Sequence, residues 1–151
     1  RSKAKAVTAD RQANYVEGRI GMVIDGTGKD YDKIRAQKAE LESLGYDTHM
    51  IFVNTSIEVA LERNAKRERT VPEDAAILSW KAVQGNIGKF SSLFKGTMVI
   101  VDNNKPDDDI EMITFKEVKR LLKKKVRNTR AKQWIEMEMK LRGITKKPKG
   151  W

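Results

Sequence analysis

A chain of 151 residues with 39% hydrophobic and 34% charged content has room for one domain with a single core and a very polar surface. It contains no cysteine, which excludes disulfides and thiolate metal sites and points to an intracellular, cytoplasmic setting. No apolar run approaches the ~20 residues that span a bilayer and no signal peptide is visible, so no membrane partner is expected.

In chain order, residues 3–17 read as a helix, uninterrupted by Gly or Pro until Gly18. The apolar run of residues 19–25 follows, closed by Asp25-Gly26-Thr27-Gly28, and predicts a strand covered on both faces. Residues 31–44 predict a helix with Gly45 as its stop, and residues 48–53 a second buried strand. Thr55 and Glu58 have capping-box spacing and open a helix that runs into Arg63-Asn64-Ala65-Lys66-Arg67-Glu68-Arg69. Pro72 suits the first turn of the next helix, whose apolar side is Ile77, Trp80 and Val83, and Gly85 and Gly88 end or bend it before Phe90 and Phe94. Residues 96–102 predict a third strand. Thr114 and Glu117 form a second capping-box pair opening a helix to about Lys125, and Asn128 caps a last helix. The closing residues 147–151 are expected to fray.

Alternating strands and helices predict an α/β fold, a parallel sheet with helices on both faces, followed by basic C-terminal helices. The division expected is an α/β domain over 1–113 and a basic helical extension over 114–151. The charge is uneven: residues 116–151 hold 14 Lys and Arg against 3 acidic residues, while 1–115 hold 17 against 18. Such a block either binds phosphate backbones or an acidic partner, or is a solvated helical tail.

Asp25 and Thr27 stand at the carboxyl end of a predicted strand, where open α/β sheets bind ligands. Asp25 can hold a Mg²⁺-bound water or position a hydroxyl, and an Asp-Gly after a strand is also an ordinary turn. Arg63 and Arg67, four apart, share a helix face if the helix persists, with Arg69 just beyond; guanidinium groups suit a transferring phosphoryl, and equally a solvated helix end. Lys33 and Arg35 either contact a substrate phosphate or lie exposed. His49, the one histidine, sits on a predicted strand and is not expected to be a ligand or base. Trp80 is assigned to the core. Ser79, Ser91 and Ser92 have no histidine nearby, which argues against a Ser-His hydrolase. Asp107, Asp108 and Asp109 lack calcium-loop spacing and read as an acidic helix start.

Taken together, Val23-Ile24-Asp25-Gly26-Thr27-Gly28, the helix with Arg35, the strand after Gly45, Ala60 to Arg67 and Val71-Pro72 resemble the P-loop kinase group of zeta toxins and phage polynucleotide kinases, over roughly residues 19–104. The resemblance implies a P-loop NTPase-like fold and an ATP- and Mg²⁺-dependent phosphotransferase acting on a nucleic-acid, nucleoside or nucleotide-sugar hydroxyl. It implies that Asp25 and Thr27 lie near Mg²⁺ and the phosphates, and that Arg67 reaches the transferring phosphoryl. Arg63 would lie against the nucleotide, Arg69 would be a lid alternative, and Asn103 and Asn104 would line the adenine side.

One departure counts against activity. The group's Gly-x-x-x-x-Gly-Lys-[Ser/Thr] loop is absent, since Gly28-Lys29 is followed by Asp30. Arg1 at the start and a sheet of three strands suggest a kinase whose first strand and P-loop lie upstream, inactive without them. The alternatives are a non-catalytic nucleic-acid-binding or virion-associated module on a degenerate kinase fold, its basic C-terminal helices holding nucleic acid, or an interaction domain for an acidic partner.

Overall fold

The computed structural model describes residues 2–105 and 109–146. In chain order its elements are α1 (Ser2–Glu17), α2 (Tyr31–Leu44), β1 (Met50–Asn54), α3 (Ile57–Ala65), α4 (Glu73–Gln84), α5 (Ile87–Leu93), β2 (Met98–Asp102), α6 (Ile110–Leu122) and α7 (Thr129–Leu141). This is a mixed α/β architecture around a two-stranded parallel sheet, with Met50 opposite Met98 and Asn54 opposite Asp102.

Capping chemistry fixes most boundaries. Asp30 caps α2 by accepting the Lys33 N–H at 3.0 Å, and Gly45 ends it at φ 111°, a left-handed conformation that costs glycine little. Asn128 caps α7, accepting from Arg130 N–H at 2.9 Å, while its Nδ2 donates to the Glu42 and Tyr46 carbonyls. One asparagine thus starts α7 and seals the end of α2, which is why these two helices pack together.

Alternation along the strands gives each face its cover. Met50, Phe52 and Met98 lie on one face, in the cluster of Phe52, Phe90 and Phe94 with Tyr31 and Ile34 of α2, Val83 of α4 and Ile87 of α5. Phe90 is fully buried, its ring 5.6 Å from that of Tyr31. Val101 points to the other face, is 3% exposed, and belongs to the strand on which α6 packs. Each fully buried Phe stabilises by roughly 1.5–3 kcal/mol. With seven buried apolar residues in the described chain, this trio dominates the core.

Four sequence expectations need correction. Among the described residues two strands form, not three: residues 20–27 join no ladder, and Val23 is 99% exposed. That segment is pinned only at its ends. Tyr46 Oη lies 3.2 Å and 3.3 Å from the Tyr15 and Ile20 carbonyls at one end, and Asn86 Nδ2 donates to the Gly28 and Lys29 carbonyls at the other. Between these anchors no described backbone offers the hydrogen bonds that would make this segment a strand. The cap of α3 is Ser56, not Thr55, with Ser56 Oγ accepting the Val59 N–H at 3.3 Å. The helix expected from Thr114 begins a turn earlier, because Asp109 Oδ1 accepts the Met112 N–H at 2.9 Å. Finally, α3 ends at Ala65, so Arg67 lies beyond the helix and shares no helical face with Arg63. Asp107 and Asp108, and residues 147–151, lie outside the described residues.

Candidate functional site

The carboxyl ends of β1 and β2 carry a dense set of amides. The Asn103 N–H donates to the Asn54 carbonyl at 2.9 Å, extending the ladder by one residue. Asn104 Oδ1 accepts the Ser56 N–H at 2.6 Å, and its Nδ2 donates to Asp102 Oδ1. From α4, Gln84 Nε2 donates to Asn54 Oδ1 at 2.8 Å and Trp80 Nε1 to the Thr55 carbonyl at 2.8 Å. Parallel strands leave their last carbonyls and the next helix's first N–H groups at one edge, and these side chains satisfy them. Trp80 is therefore half-buried structure, as its apolar spacing suggested.

The turn after Asp25 is tied to α4 and to the residue that precedes α5. Asn86, itself buried, holds Gly28 and Lys29 at 3.1 and 3.0 Å, and Lys29 Nζ reaches Ser79 Oγ of α4 at 3.5 Å. Gly28 adopts φ 72° there, close to Phe52, Val83 and Phe90, so a side chain would be strained by the backbone rather than crowded out. Asp25 and Thr27 are both exposed ahead of this anchor.

The lid follows α3. Asn64, in the last turn of that helix, donates from Nδ2 to the Val71 carbonyl at 2.7 Å and accepts the Val71 N–H on Oδ1 at 3.0 Å. This two-bond clamp closes residues 65–70 into a loop that displays Arg67 and Arg69, both exposed, with Arg63 half-buried at its base. Three other arginines are paired locally, Arg35 with Asp32 at 3.1 Å, Arg120 with Glu117 at 2.7 Å and Arg142 with Glu138 at 3.0 Å, while Arg130 of α7 donates to the Ser43 carbonyl at 2.6 Å. Among the described residues Arg63, Arg67 and Arg69 have no carboxylate within ion-pair distance. The nearest acid on α3, Glu62, is held below the usual carboxylate range by its hydrogen bond from Lys66, by that ammonium's charge and, less, by Arg63, so its charge is already matched.

The structure therefore places Asn103 and Asn104 at the carboxyl edge of the sheet, ties the Gly28 turn to Asn86 and α4, and sets Arg67 and Arg69 on the loop after α3 with Arg63 in that helix. Lys33 and Arg35 are exposed on the first turns of α2, Arg35 within its pair with Asp32. Sequence reasoning missed Asn64, Gln84 and Asn86 as site-shaping residues. Asn64 stood inside the quoted arginine motif, and its spacing of seven from Val71 gives no periodic signal.

Among the described residues no group of three or more His, Asp or Glu side chains is placed to hold a metal. A lone exposed carboxylate such as Asp25 suits Mg²⁺, which keeps most of its waters and takes other ligands from phosphates, and does not suit a cation needing an all-protein cage. Among the described residues no helix is long and apolar enough to cross a membrane.

The described residues form a mixed α/β protein with polar side chains gathered at the carboxyl edge of a parallel sheet, the edge at which open α/β sheets bind ligands. The family model described as Zeta toxin matches residues 1–112, and the chain belongs to that family, which is related to the P-loop kinases and carries a kinase-like, nucleotide-binding function. No curated protein and no solved structure matches the chain.

Proposed function

We propose that this chain serves ATP-dependent transfer of the γ-phosphoryl group to a hydroxyl of a nucleic-acid, nucleoside or nucleotide-sugar acceptor. The observation that carries this reading is the clamped loop: Arg67 and Arg69 stand on it and Arg63 at its base, none with an acidic partner among the described residues, and the Asn64 bonds hold the loop closed. Phosphoryl transfer asks a protein mainly for positioning and for charge placed where negative charge develops.

In this reading Arg67 meets the transferring phosphoryl, Arg63 lies against the nucleotide, and Arg69 substitutes at the lid. Asp25 and Thr27 face the phosphates, and Asp25 holds a water of Mg²⁺, which when bound offsets charge on the phosphate oxygens. Asn103 lines the adenine side. Asn104, already bonded to Ser56 and Asp102, shapes that loop rather than reading the base. Lys33 takes an acceptor phosphate, with Arg35 released from Asp32 to join it. The basic helices over 114–151 form an extension to the α/β domain of 1–113.

The phosphates also need a Gly-Lys-[Ser/Thr] loop that these 151 residues do not contain, so the chain alone is expected to turn over no ATP. The test is transfer of labelled γ-phosphate by a protein that joins this chain to such a loop, compared with its Arg67→Ala variant. The turnover number should fall by about 10³-fold, on the scale of other catalytic arginines, with the melting temperature unchanged. Equal turnover removes the lid assignment.

A further inference from the structure

A cleft of about 530 Å³ opens at the opposite edge of the sheet, bordered by His49 just before β1 and Thr97 just before β2. Its size falls in the range of roughly 300–1,000 Å³ typical of small-ligand sites. The remaining walls come from α2 and from the link between α6 and α7. Five lining side chains are cationic: Lys38, Lys95, Lys124, Lys125 and Arg127.

Two acids line the same space, and both are engaged. Glu42 is paired with Lys38 and also accepts from Thr48 Oγ1 at 2.8 Å. Asp47 accepts the main-chain N–H of Arg127 at 2.7 Å, which leaves the Arg127 guanidinium free of that bond. Four cations therefore face the cleft against Asp47 alone. Lys124 Nζ has only the Gly96 carbonyl, at 3.4 Å. Like charges gathered on a concave wall with low-dielectric backing focus the field and raise the local concentration of counter-ions.

His49 adds an independent sign. Its Nδ1 is buried with no hydrogen-bond partner, which native interiors rarely tolerate. Burial lowers its basicity most, Lys124, Arg120 and Arg127 lower it further, and Asp47 opposes them. The Lys38–Glu42 pair, Lys95 and Lys125 complete the charged groups lining the cleft. Burial does most to keep the imidazole neutral, and an oxyanion here would offset the cations that add to it, easing uptake of a proton from solvent.

We propose that this cleft binds a phosphate group, gripped by Lys124 and Arg127 with Lys125 and Lys95 beside them and His49 in its wall. The phosphate is either free or part of a nucleic-acid backbone, since both present the same oxyanion. The site lies at the sheet edge opposite Asn103 and Asn104 and does not depend on the kinase reading.

His49 is the one histidine of the chain, so its ring resonances report without assignment ambiguity. The 151-residue protein is titrated through its imidazole range in sodium chloride, in inorganic phosphate, and with a single-stranded DNA oligonucleotide, all at equal ionic strength. The expected result is a His49 titration midpoint displaced upward by phosphate, by the oligonucleotide, or by both, relative to chloride. Displacement by inorganic phosphate alone assigns a free phosphate, and displacement by the oligonucleotide alone assigns a backbone phosphate. The double variant Lys124→Gln, Arg127→Gln should bind the effective probe about tenfold more weakly or worse, with an unchanged melting temperature. Identical His49 midpoints in all three solutions overturn the proposal, as does undiminished binding by the double variant.

Discussion

Met22-Val23-Ile24-Asp25 and Met98-Val99-Ile100-Val101-Asp102 carry nearly the same residues, and the second alone is a strand. In β2 each residue faces a partner on β1, and α6 packs on the same strand. Val101 is 3% exposed as a result, whereas Val23 is 99% exposed. Apolar side chains supply the surface to be buried. A ladder also needs a second backbone within about 4.8 Å, and Val23 has none in the described structure. The first run is held by side chains at its two ends, the second by main chain along its length.

Substitutions can break this contrast, beginning where the laddered half has its core. Phe90→Ala should cost about 3–5 kcal/mol, read as a lowered urea midpoint, because the ring is fully buried beneath both strands. A loss below about 1 kcal/mol would mean that the core lies elsewhere. Next comes the matched pair. Val101→Ala should cost about 2 kcal/mol. Val23→Ala should stay within about 0.5 kcal/mol, since it removes no buried surface. Equal losses at the two valines would show that the first run is packed in solution after all.

Asn86→Ala probes the other mode of attachment. It strands the Gly28 and Lys29 carbonyls and should cost on the order of 1 to 2 kcal/mol. Amide exchange around residues 26–30 should quicken while that of β1 and β2 changes little. Faster exchange spread evenly over both strands would show that the anchor supports the sheet itself rather than the turn.

The same contrast explains what was legible in the sequence. Gly45 as the stop of α2 and Asn128 as the cap of α7 depend on bonds within a few residues, and local spacing finds them. The strand expected over 19–25 failed because strand formation depends on a partner that no local pattern names. The cap at Ser56 displaced Thr55 because the Thr55 carbonyl and Ser56 N–H are claimed from afar, by Trp80 and Asn104. The family and the placement of Asn103 and Asn104 at a strand end were readable from motif order. The Asn64 clamp and the basic cleft were not. The cleft assembles Lys38, His49, Lys124 and Arg127 from separate parts of the chain, and the cations that surround His49 lie far from it in sequence.

The smallest expected effect concerns the junction that holds α2 to the strand it precedes. Burial by itself pushes the Glu42 carboxyl upward, but the hydrogen bonds from Lys38 and Thr48, with the Lys38 charge, outweigh it and hold the group below the ordinary glutamate value. The unfolded chain therefore binds this proton more readily than the folded one, and stability from Glu42 is present in full above the ordinary value. It is lost as pH falls through the lower folded value. Because Glu42 is 41% exposed, solvent screens much of the pair with Lys38, and the effect should be below about 1 kcal/mol. Glu42→Gln keeps an acceptor for Thr48 and removes the charge, so its melting temperature should decline less steeply than that of the wild type as pH drops across the carboxylate range. Parallel declines would mean that the pair contributes nothing and that Asn128, bonded to the Glu42 carbonyl at 2.8 Å, holds this end of α2 unaided.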